Sequence, residues 1–178
     1  MRDELACFAA RPMIAVLAGI APLAVVACLA AAAIAQENDV IEGQRIWADK
    51  GQCQECHGWA GNGDRGGLHA EGKAPSLRLT QLSRDQIRMT IQCGRPGTPM
   101  PHFDRFAYTD KRCYGMTAAD LGDSVPSRGA ITLQPYEIDA LADYIEAKVK
   151  RAGPVTRGQC VDYFKANAGV RCEGYPDK

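Results

Sequence analysis

The pattern of apolar and polar positions changes character twice along this 178-residue chain. Residues Met13 to Ala35 are almost all apolar. From Gln36 the chain turns polar, and amphipathic stretches begin. Val40, Ile41 and Trp47 predict a first helix from about Val40 to Lys50, with Asn38 or Asp39 as its cap. Gly43 inside it costs about 1 kcal/mol against alanine, a cost that the close approach of a second helix would justify. Residues 58–82 are rich in glycine and predict loops. Ser83 to Gln86 reads as a capping box opening a helix that carries Ile87 and Ile91 on one face and ends at Gly94. Thr117 to Asp120 predicts a short turn of helix. Pro135 predicts the first residue of a longer one through about Lys150, with Ile138, Leu141, Ile145 and Val149 as its apolar stripe. Lys148, Lys150 and Arg151 suit its C-terminal end, and Gly153-Pro154 stops it. A last short helix near 158–166 would turn Val161 and Phe164 inward. Strand signals are almost absent, so the expected class is all-α with long loops.

The apolar N-terminal stretch follows Arg2 and Arg11 and ends in Ala33-Ile34-Ala35, a small-x-small cleavage site. These are the three parts of a secretory signal peptide, residues 1–35. Left uncut, the same stretch is long enough to anchor the chain in a membrane. Either way the remainder faces the periplasm or its equivalent, where disulfides form. From Gln36 onward basic and acidic residues balance, which argues against a nucleic-acid partner. Residues 65–112 carry nine basic and four acidic side chains. That excess reads either as an ordinary solvated surface or as a positive docking face for an acidic partner.

The decisive motif is Cys53-Gln54-Glu55-Cys56-His57. Cys-x-x-Cys-His is the spacing that attaches one c-type haem, each thiol adding to a vinyl group and the histidine serving as an axial ligand. The alternatives are a redox Cys-x-x-Cys or half a zinc site. The first should follow a strand, and the second needs a further cysteine or histidine pair; the sequence offers neither. A second axial ligand is sought among Met89, Met100, Met116, His69 and His102. Met100 is preferred, because Pro99 and Pro101 stiffen its loop. His102 is its rival, Met89 and Met116 read as core filler, and His69 reads as solvent-facing. Methionine–histidine ligation raises the potential and leaves no open position for oxygen or peroxide. The expected function is therefore single-electron transfer, not catalysis. A haem enzyme or gas sensor is the alternative if Met100 is not a ligand. A haem subunit of a larger oxidoreductase is another.

These residues resemble the class I cytochromes c, over roughly Val40 to Lys150. The resemblance rests on Gly43 and Trp47, on Cys53 to Gly58, on Ala74-Pro75-Ser76-Leu77, on Thr98-Pro99-Met100-Pro101, and on Glu137 to Ile145. It implies the cytochrome c fold, with first and last helices crossing at Gly43, Trp47, Leu141 and Tyr144. It also implies that the Pro75 carbonyl accepts a hydrogen bond from the His57 ring, fixing that ligand. The domain so implied is 36–152, and residues 153–178 are an extension with no family role. The segment Cys93 to Pro101 looks like that of cytochromes taking electrons from periplasmic quinoprotein dehydrogenases. The implied partners are a periplasmic dehydrogenase as donor and an oxidase or another cytochrome as acceptor. Arg95 and Arg105 are candidates for docking or for a propionate contact.

Cys93, Cys113, Cys160 and Cys172 remain. Four cysteines allow three pairings. The local pairs Cys93–Cys113 and Cys160–Cys172 are preferred, one closing the Met100 loop and one stapling the extension. Each would contribute about 3 kcal/mol by restricting the unfolded chain.

Overall fold

The computed structural model describes residues 36–63 and 74–178. The leader with its cleavage site, and His69 with much of the glycine-rich loop, lie outside the described residues. Helix α1 is already formed at residue 36 and runs to 45, and its last turn, Ile46–Lys50, widens to π geometry. Asn38 and Asp39 thus lie inside the helix and do not cap it. The short α2 (Gln54–His57) follows at once. Then come α3 (Arg84–Cys93), α4 (Ala118–Leu121), α5 (Pro135–Tyr144) with a π-helical continuation (Ile145–Val149), and α6 (Arg157–Phe164). Among the described residues there is no strand, only isolated bridges at His102–Arg128 and Cys113–Met116. The fold is all-α, consistent with the cytochrome c fold. No helix among the described residues is long and apolar enough to cross a membrane.

Local signals in the sequence translate directly into ends of helices. The Ser83 amide donates to Gln86 Oε1 at 2.8 Å, and the Gln86 amide donates to Ser83 Oγ at 3.2 Å. Gly94 stops α3 with a φ of 65°, which favours glycine. Thr117 and Asp120 form a reciprocal cap on α4. Pro135 is the first residue of α5, and Gln134 and Glu137 cap it in the same way.

The core forms where α1 meets α5 and α5 meets α3. Ile138, Leu141, Ile145 and Val149 are all buried, as are Ile87 and Ile91. Trp47 packs beside Tyr144, with ring centroids 6.1 Å apart. At this crossing the Gly43 backbone touches α5 directly: a Cβ there would stand 2.1 Å from the Ala140 carbonyl oxygen. Charge also bridges the crossing, where Lys50 pairs with the buried Glu137.

Tyr144 makes this crossing pH-sensitive. Burial pushes its phenol from 10.0 up to about 12, against the opposing pull of the Arg78 charge. The folded state favours the protonated form, so this stabilisation is complete below pH 10 and is lost as pH rises towards 12. Ionising the buried phenol therefore costs the folded state about 3 kcal/mol. Tyr144→Phe is therefore expected to move the alkaline unfolding midpoint, followed by circular dichroism, to higher pH; an unmoved midpoint would count against this role.

Helix α6 departs from expectation in one respect. In α6 the inward face is Cys160, Tyr163 and Phe164, spaced three and four apart, while Val161 is 43% exposed. One hundred degrees of rotation per residue carries Val161 off that face. Cys160 pairs with Cys172, and Cys93 with Cys113, at disulfide distance.

Candidate functional site

The motif lies on the helical turn α2. The Cys53 amide donates to the Trp47 carbonyl at 3.0 Å, which joins the turn to the end of α1. The His57 amide donates back to the Cys53 carbonyl at 2.9 Å. Cys53 and Cys56 sit three apart on this turn, outside both cysteine pairs. Cys53 packs against the main core, and Cys56 faces solvent. Gly51 leaves room for the first thiol: a Cβ there would lie 3.1 Å from Cys53 Sγ. The His57 ring lies 6.0 Å from that of Trp47, and its Nδ1 is buried.

Burial pushes the Cys53 thiol up to about 12. A dithiol redox motif needs the opposite, a thiol depressed towards neutrality. Among the described residues no group of three His, Cys, Asp or Glu side chains could hold a metal ion. Burial of the first thiol thus disfavours the dithiol redox alternative. Two thiols one turn apart, an adjoining imidazole and a glycine cradle fit a haem c.

The Pro75 segment is drawn to the same turn. The Gly63 amide donates to the His57 carbonyl at 2.8 Å, and the Leu77 amide donates to the Gly61 carbonyl at 2.8 Å. A Cβ on Gly63 would meet the Ala74 carbonyl oxygen at 2.4 Å, so only glycine admits this contact.

Met100, like Cys53, is half-buried against the main core. Its loop is tied at the base. The Arg95 amide donates to the Met100 carbonyl at 3.2 Å, and the Met100 amide donates to Thr98 Oγ1 at 3.3 Å. Tyr108 and Tyr114 donate from their hydroxyls to the carbonyls of Cys93 and Gly94, each at 2.8 Å. The pair Cys93–Cys113 holds these tyrosines next to the loop. His102 is engaged differently: its Nδ1 lies 2.9 Å from the Asp104 carbonyl oxygen, and its ring meets Tyr108 edge-on. Met89 fills the space beside Cys93, as core filler should.

Four of the nine basic residues counted between 65 and 112, Arg78, Arg84, Arg88 and Arg112, are held by bonds within the fold. Arg84 binds Asp139 and Asp143 of α5, and Arg88 binds Asp139. Arg112 is bound to Asp110 and Asp104. Arg105 lies over the Phe106 ring at 4.3 Å. Arg78 is buried and donates to the carbonyls of Ala60, Ala152, Gly153 and Pro154 and to Gln159 Oε1. Arg65 and Lys73 lie outside the described residues. The acids that neutralise Arg84 and Arg88 are more than 50 positions away in the chain, so a count over a window misses them.

Fold and site together define an all-α protein that carries two thiols and an imidazole on one helical turn beside its core. A family model described as Cytochrome C oxidase, cbb3-type, subunit III, matches residues 38–119. The matched stretch holds the Cys53–His57 turn, α3 and the Met100 loop, and it ends before α5. No curated protein and no solved structure gives a significant match. The match supports a c-type cytochrome: a protein that binds haem c and transfers electrons.

Proposed function

We propose that this protein is a periplasmic monohaem cytochrome that passes single electrons from a dehydrogenase towards the respiratory chain. The observation that carries the reading is the Cys53–His57 turn, two thiols and an imidazole on one helical turn beside the core. When bound, haem c supplies a one-electron couple. Cys53 and Cys56 would hold it through thioether bonds, and His57 and Met100 would be its axial ligands. Pro75 would accept the hydrogen bond that orients His57. Tyr108, Tyr114 and the Cys93–Cys113 pair hold the Met100 loop, so the weak thioether need not depend on bond strength alone.

The deciding experiment is denaturation of the purified holoprotein followed by extraction with acidified organic solvent. Pigment is expected to stay with the polypeptide in the wild type and to be absent or extractable in the Cys53→Ser/Cys56→Ser variant. Pigment that leaves the wild-type protein freely overturns the reading. Met100→Ala should open a ligand position, and carbon monoxide should then bind at neutral pH where the native protein resists it. Rapid binding by the native protein would favour a sensor or enzyme instead. Removing both Cys93 and Cys113 should weaken the methionine–iron absorption band before the fold melts; an unchanged band and potential would show that the pair does not hold the loop.

The description of the matching family favours a second reading, a haem subunit of a larger oxidoreductase. Co-purification in a stable complex would distinguish it, and the cofactor chemistry would be the same. The resemblance of Cys93 to Pro101 to acceptors of quinoprotein dehydrogenases supports the dehydrogenase as donor. Reduction of the holoprotein by such an enzyme, and none by unrelated dehydrogenases, is the expected outcome.

A further inference from the structure

The extension from residue 153 onward touches the attachment turn on both sides, and nothing in the proposed electron transfer accounts for this. Tyr163 of α6 donates from its hydroxyl to Gln54 Oε1 at 2.9 Å. Gln54 stands between the two motif cysteines, and its Nε2 donates to the Ala48 carbonyl at 3.0 Å. Its side chain is thus locked between α1 and α6. Beyond His57, the Trp59 ring packs against Tyr163, Phe164 and Tyr175, with centroids 5.2, 5.4 and 5.7 Å away. Trp59 Nε1 donates to the Tyr175 hydroxyl at 3.0 Å. The Trp59 carbonyl accepts from Trp47 Nε1 at 3.1 Å, and Trp47 is the ring beside His57. Anchors away from the turn hold the extension independently: Arg78, through the carbonyls of Gly153 and Pro154 and through Gln159, and the Cys160–Cys172 pair.

We infer that residues 153–178 are a positioning clamp on the haem-attachment turn, with Tyr163 and Trp59 as the positioning residues that act through Gln54 and Trp47 on His57. The inference rests on the reading of Cys53–His57 as the attachment turn. A surface that keeps water from a metal site raises the potential, because water favours the more highly charged, oxidised form.

The test is a spectroelectrochemical titration of the holoprotein, with the His57 ring resonances followed by NMR. Tyr163→Phe deletes one oxygen and keeps the ring on Trp59. Cys160→Ser/Cys172→Ser loosens the clamp without altering any residue of the turn. Both are expected to lower the potential. For the double variant the electron-exchange constant against a fixed reference couple should shift about tenfold, which is about 59 mV for one electron. For Tyr163→Phe it should shift about threefold, half of that on the same logarithmic scale. Both should also displace the His57 resonances. Variants that melt earlier but keep the wild-type potential and resonances would reduce the extension to a structural brace and overturn the inference. Should the wild type carry no attached haem, the underlying reading fails instead, and pigment extraction detects that separately.

Discussion

Gly43→Ala is expected to destabilise the protein by about 3 kcal/mol, although alanine is the better helix former by about 1 kcal/mol. The added Cβ would lie 2.1 Å from the Ala140 carbonyl oxygen, 2.6 Å from Tyr144 Cβ and 2.8 Å from the Ala140 carbonyl carbon. Two of these are backbone atoms of α5 and cannot rotate away, so α1 and α5 must move apart. Separation would loosen Trp47 from Tyr144 and the Lys50–Glu137 pair from the buried end of α5. In a domain of this size the loss should lower Tm by about 10 °C. A thermal melt that shows a gain instead would mean that the crossing is not as close as described.

Replacing Arg78 by methionine should be at least as damaging, and its first effect should be local. The guanidinium is buried, and the acceptors of its described hydrogen bonds are neutral, four backbone carbonyls and one amide oxygen. Burial pulls its pKa below the ordinary value, yet an arginine stays charged under these conditions. Without it these acceptors lose their donor, at about 1–3 kcal/mol for each that water cannot reach, so a net loss of about 4 kcal/mol is reasonable. Limited proteolysis should then cut between residues 153 and 178 well before the remainder unfolds. Arg78→Lys should not rescue the extension, because three donors on one ammonium cannot reach acceptors arranged around a planar fork. An extension equally resistant in Arg78→Met would remove Arg78 as its anchor.

Much of the candidate site is legible in the sequence, because its chemistry is contiguous. Cys53, Cys56 and His57 need only the spacing of one helical turn to come together. Met100 was singled out by its flanking prolines, and the core contacts of its loop agree with a fixed position. The helix starts at Ser83, Thr117 and Pro135 are readable for the same reason: each signal lies within four residues. Gly43 was legible as an anomaly, a helix breaker inside a helix, and the backbone of α5 is what it accommodates. By contrast, Arg78 counts in the sequence only as one of nine basic residues between 65 and 112, although it is a buried centre of long-range bonds. Gln54 carried no signal at all, since its partner Tyr163 is 109 positions away.

The sequence alone determined the class of fold, the residue types brought together on the Cys53–His57 turn and the helix boundaries near their caps, because periodicity, capping and motif spacing operate over a few residues. Tertiary structure decided where the charges cancel and what the extension covers. Arg84 and Arg88 meet the α5 carboxylates, and residues 153–178 close over Gln54 and Trp59, only once the helices pack. Such pairings depend on distances across the fold, which no local pattern in the chain encodes.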